Sequence, residues 1–421
     1  MVTILCSGTR GDVQPYVALA VELGKLGIAA QIAVNRDFEG FVRGYGVRVH
    51  SIDVDFESLN VDRTMVKEAQ KADNVLKMFL SFRKMEKYGV HMVGKYHDAC
   101  EGSDVIVYHP GLAIGHFMAE RMGVPSVLAS PFPLHMTSVR PSVILYGKVK
   151  PNRLVNRISY DVLQGMLWMA SAPALRTFWK QRFGKLPANF GRPFERHADP
   201  RRPAIVSCSN HVFERPLDWN ENVHQEGYWF VDEPSAYIPS PELNAFLLKG
   251  EKPVYVGFGS MFDRDETEKV ATAVVEGLAR AGKRGIVNGM GGLAGLPGTM
   301  LAVDNVPHSW LFGRMSAVCH HGGAGTSAAG FLAGVPSVII PFALDQHAWA
   351  QRAYDLGVGS RPLPARKLTA EGLAEAIRFA TGEDVVEKAR ALGERIAAEN
   401  GARECAKVIA ATLKSSRSAA S

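Results

Sequence analysis

No apolar run in the 421 residues reaches the roughly 18 that a bilayer-spanning helix needs. The opening Met1-Val2-Thr3-Ile4-Leu5-Cys6 has no basic stretch ahead of its hydrophobic residues, as a secretory leader would. It is expected to form a first strand in a cytoplasmic protein that is at most peripheral to a membrane. Cysteine is scarce: Cys6, Cys100, Cys208, Cys319 and Cys405 are odd in number, far apart and never paired as C-x-x-C. That excludes a disulfide framework and fits a reducing compartment. No zinc-ligand spacing and no basic-aromatic interleaving of the nucleic-acid-binding kind occurs, so neither a metal nor a nucleic-acid partner is expected. Glycine (41) and proline (23) are plentiful but show no Gly-X-Y period, which excludes a collagen-like rod.

With 47% hydrophobic and 21% charged residues, the chain can bury a substantial core, and its length favours two or three domains. The net charge of +6 is uneven. Between Arg140 and Arg202 stand 13 Lys and Arg against three acidic residues, a local +10, interleaved with Leu163, Met166, Trp168, Phe178 and Trp179. This basic segment, 140–202, is either the solvated face of core helices or a surface for an anionic membrane.

Short apolar runs bounded by turn residues predict strands at Val2–Cys6, Ala29–Val34, Val47–Ile52, Val105–Val107, Ser126–Ala129 and Ala204–Cys208. Helical stretches are expected between them, from about Pro15 to Leu26, Met65 to Tyr88 and Ala113 to Arg121. The strand–turn–helix–strand order implies a parallel sheet. Around Asp232–Lys252 the composition shifts to Asp-Glu-Pro-Ser and Ile-Pro-Ser-Pro, a linker pattern. A second set of strands follows at Val254–Phe258, Gly285–Asn288, Met300–Val303, Ala317–His320 and Ser337–Ile340, with a helix from about Thr267 to Ala281. The expectation is an α/β protein with an N-terminal Rossmann-like domain over 1–232, a linker at 233–252 and a second such domain over 253–400. Residues 401–421 are expected to form a helix or tail packing back on the first domain, in a monomer or homodimer. Ligands of such sheets bind beyond the carboxyl ends of the strands.

The strongest chemical signal is Cys319-His320-His321-Gly322-Gly323-Ala324-Gly325-Thr326-Ser327, after an apolar strand and before the helix-compatible Ala328–Ala333. Glycines allow close approach to a ligand, and a helix start presents free N–H groups, which together suit a phosphate. His320 adds a donor, and Thr326 and Ser327 are candidate N-caps. A capped Gly-rich turn would use the same residues. A second functional reading is a dinucleotide fingerprint: Gly323–Ala328 fits G-x-G-x-x-A, with Asp345 at 22 residues from Gly323. Asp345-Gln346-His347, directly after the strand ending at Ile340, pairs a carboxylate with a carboxamide, as suits vicinal sugar hydroxyls. Asp345 would equally serve as the N-cap of a helix over Ala348–Leu356.

The stretch His320–Gly359, with Gly8-Thr9-Arg10-Gly11-Asp12-Val13-Gln14-Pro15 and Gly257-Phe258-Gly259-Ser260, resembles the family 1 inverting glycosyltransferases of the GT-B fold. The likeness is to their bacterial antibiotic and glycolipid branch and to the sterol glucosyltransferases. It implies two Rossmann-like domains facing across a cleft. It assigns the donor diphosphate to His320, Gly322, Gly323, Gly325, Thr326 and Ser260, and the donor sugar to Asp345, Gln346 and Trp349. It assigns the nucleobase to the segment of Val306, His308 and Trp310. Asn305 and Ala328 stand where the plant branch has Trp and a ribose-binding Glu, so thymidine donors remain open beside uridine ones.

The resemblance also makes Asp12 the catalytic base, with Thr9, Arg10 and Gly11 in support; capping of the following helix is the alternative role for Asp12. It implies hexose transfer from a nucleotide sugar to a hydroxyl of a sterol, polyketide, phenolic or glycolipid. Residues around Met78, Phe79, Phe82, Trp168 and Trp179 would suit such an acceptor. No cofactor or metal is expected, because Asp53-Val54-Asp55 and Asp263-Arg264-Asp265, the D-x-D pairs, adjoin no phosphate motif. His109 and His135, each after a strand, could assist Asp12 or simply be packed. The alternatives are a transferase for a membrane polyprenyl or cell-wall lipid, a non-catalytic partner of a true transferase, and a nicotinamide-dependent enzyme.

Overall fold

The computed structural model describes residues 1–53, 86–233, 235–258, 264–289, 296–342 and 344–418. The expected helix over Met65–Tyr88 falls largely outside these residues, as do Ser260, Met78, Phe79 and Phe82. The chain divides into two compact units. One comprises Met1–Ser142, Pro151–Val231 and Glu399–Ser421; the other comprises Val143–Lys150 and Asp232–Ala398.

The first unit is built on seven parallel strands: β1 (Val2–Leu5), β2 (Ala30–Asn35), β3 (Arg48–Ile52), β4 (Val105–Tyr108), β5 (Ser126–Ser130), β6 (Ala204–Val206) and β7 (Val223–His224). Their order is β3-β2-β1-β4-β5-β6-β7. β1, β4 and β5 are buried along their whole length, which is why they read as unbroken apolar runs rather than alternating ones. The two-residue β7 is too short to leave such a run. β1 pairs in parallel with β4, Leu5 opposite Tyr108; the order in which strands are added to the sheet reverses between these two, and their carboxyl ends lie side by side. Tyr16 Oη–H donates to the Ala129 carbonyl at 2.6 Å and Tyr96 Oη–H to the Cys6 carbonyl at 2.8 Å, fixing that edge from both helical layers. The terminal helix Gly401–Ser418 packs on the helix Arg10–Lys25 and adds Cys405, Ala406, Ile409 and Leu413 to the core of this unit.

The second unit holds five parallel strands: β8 (Val254–Gly257), β9 (Gly285–Asn288), β10 (Met300–Val303), β11 (Ala317–His320) and β12 (Ser337–Ile339), in the order β10-β9-β8-β11-β12. Its register sets Gly257 opposite both Asn288 and His320, and His320 opposite Ile339. The carboxyl ends of four strands thus form one level edge.

Three features depart from the sequence expectation. Val143–Lys150 belongs to the second unit although the chain around it belongs to the first. The basic segment is dominated by one helix of 31 residues, Arg153–Phe183, which runs through Pro173. Two helices also begin earlier than their apolar periodicity suggests, at Arg10 and at Ala324.

Candidate active site

In the first unit, Asp12 lies in the first turn of the helix Arg10–Lys25 rather than in a loop, because Thr9 serves as N-cap. One carboxylate oxygen, Oδ2, accepts the Thr9 backbone N–H at 2.7 Å and the Thr9 hydroxyl at 2.9 Å. This is half of a capping box, and it orients the carboxylate. Gly8 makes room for it: its φ is +126°, and a Cβ there would lie 2.7 Å from Asp12 Cγ. Thr9 thus orients Asp12, and the Arg10 guanidinium sits over the Phe41 ring at 4.7 Å. Gly11 carries no side chain and is exposed.

His109 follows β4, beside the loop from β1, and its N–H donates to the Leu5 carbonyl at 3.0 Å. Gly111 N–H donates to His109 Nδ1 at 3.0 Å, so the neutral ring carries its proton on Nε2. Burial lowers the pKa of His109, and the negative charge of Asp12 works in the opposite direction. The two groups therefore share one electrostatic environment at the β1/β4 edge. Sequence reasoning left His109 undecided, and only the strand order brings it to Asp12.

In the second unit, His320 ends β11 and is completely buried. Gly322 N–H donates to its Nδ1 at 3.1 Å, which leaves the proton on Nε2. That Nε2 has no hydrogen-bond partner among the described residues. Burial, and then the neighbouring His321 and His308, hold the His320 pKa well below the usual histidine range, so the group is a neutral N–H donor at pH 7. Gly322 has φ +90°, and a Cβ would meet Ile339 Cγ2 at 2.7 Å and the Gln346 carbonyl at 3.0 Å. Glycine here lets the His320 turn lie against the start of the next motif.

The N-cap of the helix Ala324–Leu332 is Gly323, with no capping side chain. This corrects the expectation that Thr326 or Ser327 caps it. Thr326 is inside the first turn, and Ser327 is fully buried, its hydroxyl without a partner among the described residues. The helix thus opens four residues earlier than Ala328, and Gly323 offers its first N–H groups no capping side chain. Gly322, Gly323, Gly325 and Thr326 all lie on this turn.

Asp345 occupies the N-cap position of the helix Gln346–Asp355, but its side chain makes no cap bond. Its Oδ2 instead accepts the Trp349 indole N–H at 2.9 Å. Gln346 Oε1 accepts the Phe342 N–H at 2.8 Å. Trp349 has no exposed surface, and its indole N–H holds the Asp345 carboxylate. Leu344, just before, is one of two described non-glycine residues with positive φ, at +50°. The segment Val143–Lys150 reaches this corner: Lys148 Nζ donates to the Leu344 carbonyl at 3.5 Å, and Tyr146 Oη–H to Asp355 Oδ2 at 2.9 Å. Burial lowers the Lys148 pKa and the charge of Asp345 opposes that, so Lys148 brings a cation near the Asp345-Gln346 pair. No sequence pattern marks Lys148; it was one of 13 basic residues.

Val306, His308 and Trp310 lie beyond β10. Val306 is 6% exposed, leaving mainly its backbone to a ligand. His308 stacks on Phe312 at 4.3 Å between centroids and pairs with Tyr255 Oη at 3.3 Å. Tyr255 Oη in turn accepts from Asn288 Nδ2 at 3.2 Å. Trp310 packs against Tyr237 at 5.0 Å, with the Arg314 guanidinium 4.1 Å over its ring. Asn305, with φ +56°, turns the chain between β10 and this group.

This arrangement of a buried donor histidine, an open helix start and a carboxylate on two parallel-sheet units has clear relatives. Residues 2–141 match the family model described as the glycosyltransferase family 28 N-terminal domain. Residues 287–415 match the erythromycin biosynthesis protein CIII-like C-terminal domain. Sterol 3-beta-glucosyltransferase UGT80B1 of Arabidopsis thaliana is 32% identical over 416 residues, covering 95% of this chain and 66% of that protein. A sterol 3-beta-glucosyltransferase of Cryptococcus neoformans is 32% identical over 445 residues, covering 99% of this chain and 27% of that protein. Among solved structures, the glycosyltransferase VinC in complex with dTDP superposes with a TM-score of 0.68 at 16% identity, covering 98% of this chain and 99% of VinC. The kitacinnamycin glycosyltransferase does so at 0.68 and 18%, covering 98% of both chains.

The chain belongs to the family 1 glycosyltransferases of the GT-B fold. It spans 27–29% of the length of the fungal relatives and 66% of the plant ones. As a GT-B glycosyltransferase it carries its Gly-rich turn and Asp-Gln pair at the β11 and β12 ends of one sheet, and Asp12 with His109 at the β1 and β4 ends of the other.

Proposed function

We propose that this glycosyltransferase moves a hexose from a nucleoside diphosphate sugar to a hydroxyl of a lipophilic acceptor, a sterol being the first candidate. The observation that carries the proposal is the completely buried, neutral Nε2–H of His320, without a partner among the described residues, beside a helix start with no capping side chain. Both are donors suited to a diphosphate. Asp12 would accept the proton of the acceptor hydroxyl as its oxygen attacks the anomeric carbon. The bond from that carbon to the phosphate oxygen breaks, and its electron pair leaves on the diphosphate. His320 and the N–H groups around Gly325 and Thr326 would receive that charge, each at about 2–4 kcal/mol if oxyanion-type magnitudes apply. Asp345, held by Trp349, and Gln346 would take sugar hydroxyls. One displacement inverts the anomeric centre, and the charges on the departing diphosphate are met without a metal ion. His109 would act through Asp12 as a positioning residue. The names of the sterol glucosyltransferase relatives support the acceptor class, and the dTDP in the VinC structure supports a nucleotide diphosphate donor.

The test is a donor screen with UDP-glucose, UDP-GlcNAc, dTDP-rhamnose and NAD, read by thermal shift and then by transfer to cholesterol or ergosterol. One nucleotide sugar should stabilise the protein; at 100 times its Kd the linkage amounts to about 2.7 kcal/mol. Stabilisation by NAD alone would replace this proposal with the nicotinamide-dependent one.

A lipid-borne acceptor is favoured by one further observation. On the helix Arg153–Phe183, Leu154, Ile158 and Val162 are 68%, 48% and 46% exposed at successive i,i+4 positions, beside the exposed Arg153 and Arg157. No helix among the described residues is long and apolar enough to cross a membrane. An exposed apolar stripe with basic flanks suits the surface of an anionic bilayer. Cosedimentation should be strong with phosphatidylglycerol-containing vesicles, weak with pure phosphatidylcholine, and lost in Leu154→Asp/Ile158→Asp. Equal binding to both vesicle types, or no effect of the double substitution, would remove the membrane role.

A further inference from the structure

We propose that His135, Glu195 and His197 form a binding site for one divalent first-row transition ion, zinc by the chemistry of the donor set, outside the sugar-transfer machinery. One ligand atom from each of the three residues lies within 4.8 Å of the others. His135 follows β5, and Glu195 and His197 stand in the irregular stretch between the helix Arg153–Phe183 and β6, so all three belong to the first unit. Residues 60 positions apart, with only a short Glu-x-His at one end, have no zinc-like spacing, and tertiary structure alone unites them.

The unexplained group is His135. Its side chain is completely buried, yet neither ring nitrogen has a hydrogen-bond partner among the described residues. The same holds for Nδ1 of His197. An unpaired polar atom buried in a protein is costly, and three such atoms in one place call for a partner. The two rings meet edge to face with centroids 4.8 Å apart. Glu195 is prepared for a third ligand position. Its Oε1 accepts the Met136 N–H at 3.0 Å and the Gln164 amide, while Oε2 stands 3.7 Å from His197 Nε2.

The surrounding groups agree with this geometry. The Met136 and Gln164 donors to Glu195, and the Trp219 indole N–H on the His135 carbonyl at 3.1 Å, are outer partners of the kind that orient ligands. Asp161 and Arg157 face Glu195 with opposite charges. Tetrahedral zinc with ligands at about 2.0–2.1 Å sets ligand atoms about 3.3 Å apart. Binding therefore draws the three side chains together and ties the stretch after β5 to the stretch before β6. Two imidazoles and one carboxylate leave a fourth position for water or another ligand.

The experiment uses the intact chain, treated with chelator and titrated with ZnCl₂ and CoCl₂ by calorimetry, visible absorption and thermal shift. The expected result is one ion per chain, visible Co²⁺ bands of a low-coordinate site and a rise in Tm of about 2–4 °C. His197→Gln and Glu195→Gln should each weaken Co²⁺ binding about 100-fold while circular dichroism stays unchanged. Failure of the unsubstituted chain to take up an ion stoichiometrically would overturn the proposal, whether or not the variants fold. So would uptake that both substitutions leave intact, which would put the ion elsewhere.

Discussion

Asp12→Asn should retain donor affinity and lose sugar transfer by about 10²–10⁴-fold, the range assigned to a positioned general base. The substitution keeps the size of the side chain and an acceptor oxygen for the Thr9 N–H and hydroxyl, which Asp12 Oδ2 now receives at 2.7 and 2.9 Å. It removes only basicity. Were Asp12 no more than part of the cap, the variant would lose a fraction of the roughly 1 kcal/mol that such caps contribute, with turnover intact. Initial rates at saturating acceptor, with the donor Kd measured separately by calorimetry, separate the two roles. Turnover equal to that of the unsubstituted chain removes Asp12 from the mechanism. His109→Gln in the same assay reports whether the neighbouring ring acts through Asp12, since a purely structural ring would leave the pH profile in place.

His320→Ala acts on the other substrate. Loss of one buried donor to the diphosphate should weaken the nucleotide sugar and slow transfer by about 10²–10³-fold, whereas acceptor KM should hardly change. The buried ring also fills space, so His320→Gln serves as the companion variant; its amide N–H can restore part of the binding without the ring. A pH arm sharpens the test. The folded-state pKa of His320 lies below its ordinary value of about 6.5 because burial disfavours the cation. The donor N–H is therefore already present across neutral pH, and lowering the pH from 7.5 to about 6 should not tighten donor binding. Tighter binding on acidification, in step with a single histidine near 6.5, would mean that a charged imidazole holds the diphosphate. Donor affinity unaffected by both substitutions would place the diphosphate elsewhere.

Five strands were legible because each is buried on both faces. β1, β4, β5, β8 and β11 appear as short unbroken apolar runs with turn residues at their ends, and the expected limits lie within two residues of those observed. The Gly-rich turn at His320 and the Asp-Gln pair were legible for a related reason: their chemistry is local and continuous in the chain. Helix starts were not. The first turns at Arg10–Asp12 and Ala324–Thr326 are mostly polar or small and partly exposed, so they carry no apolar period, and periodicity finds each helix only where it begins to bury a face. The burial of Trp349 was not legible, because a tryptophan next to an Asp-Gln pair looks the same in sequence whether it faces solvent or the core.

Local alternation of apolar, glycine and polar residues thus determined by itself that the chain forms two parallel-sheet units and where each puts its strand-end turns. Burial is a property of short segments and is written into them directly. Which residues share a site was decided only in three dimensions. His109 reaches Asp12 through the crossover that makes β1 and β4 neighbours, Lys148 reaches Asp345 because Val143–Lys150 joins the second unit, and His135 meets Glu195 and His197 across 60 positions of chain. Contacts between residues far apart in sequence depend on strand order and packing, which no local pattern records.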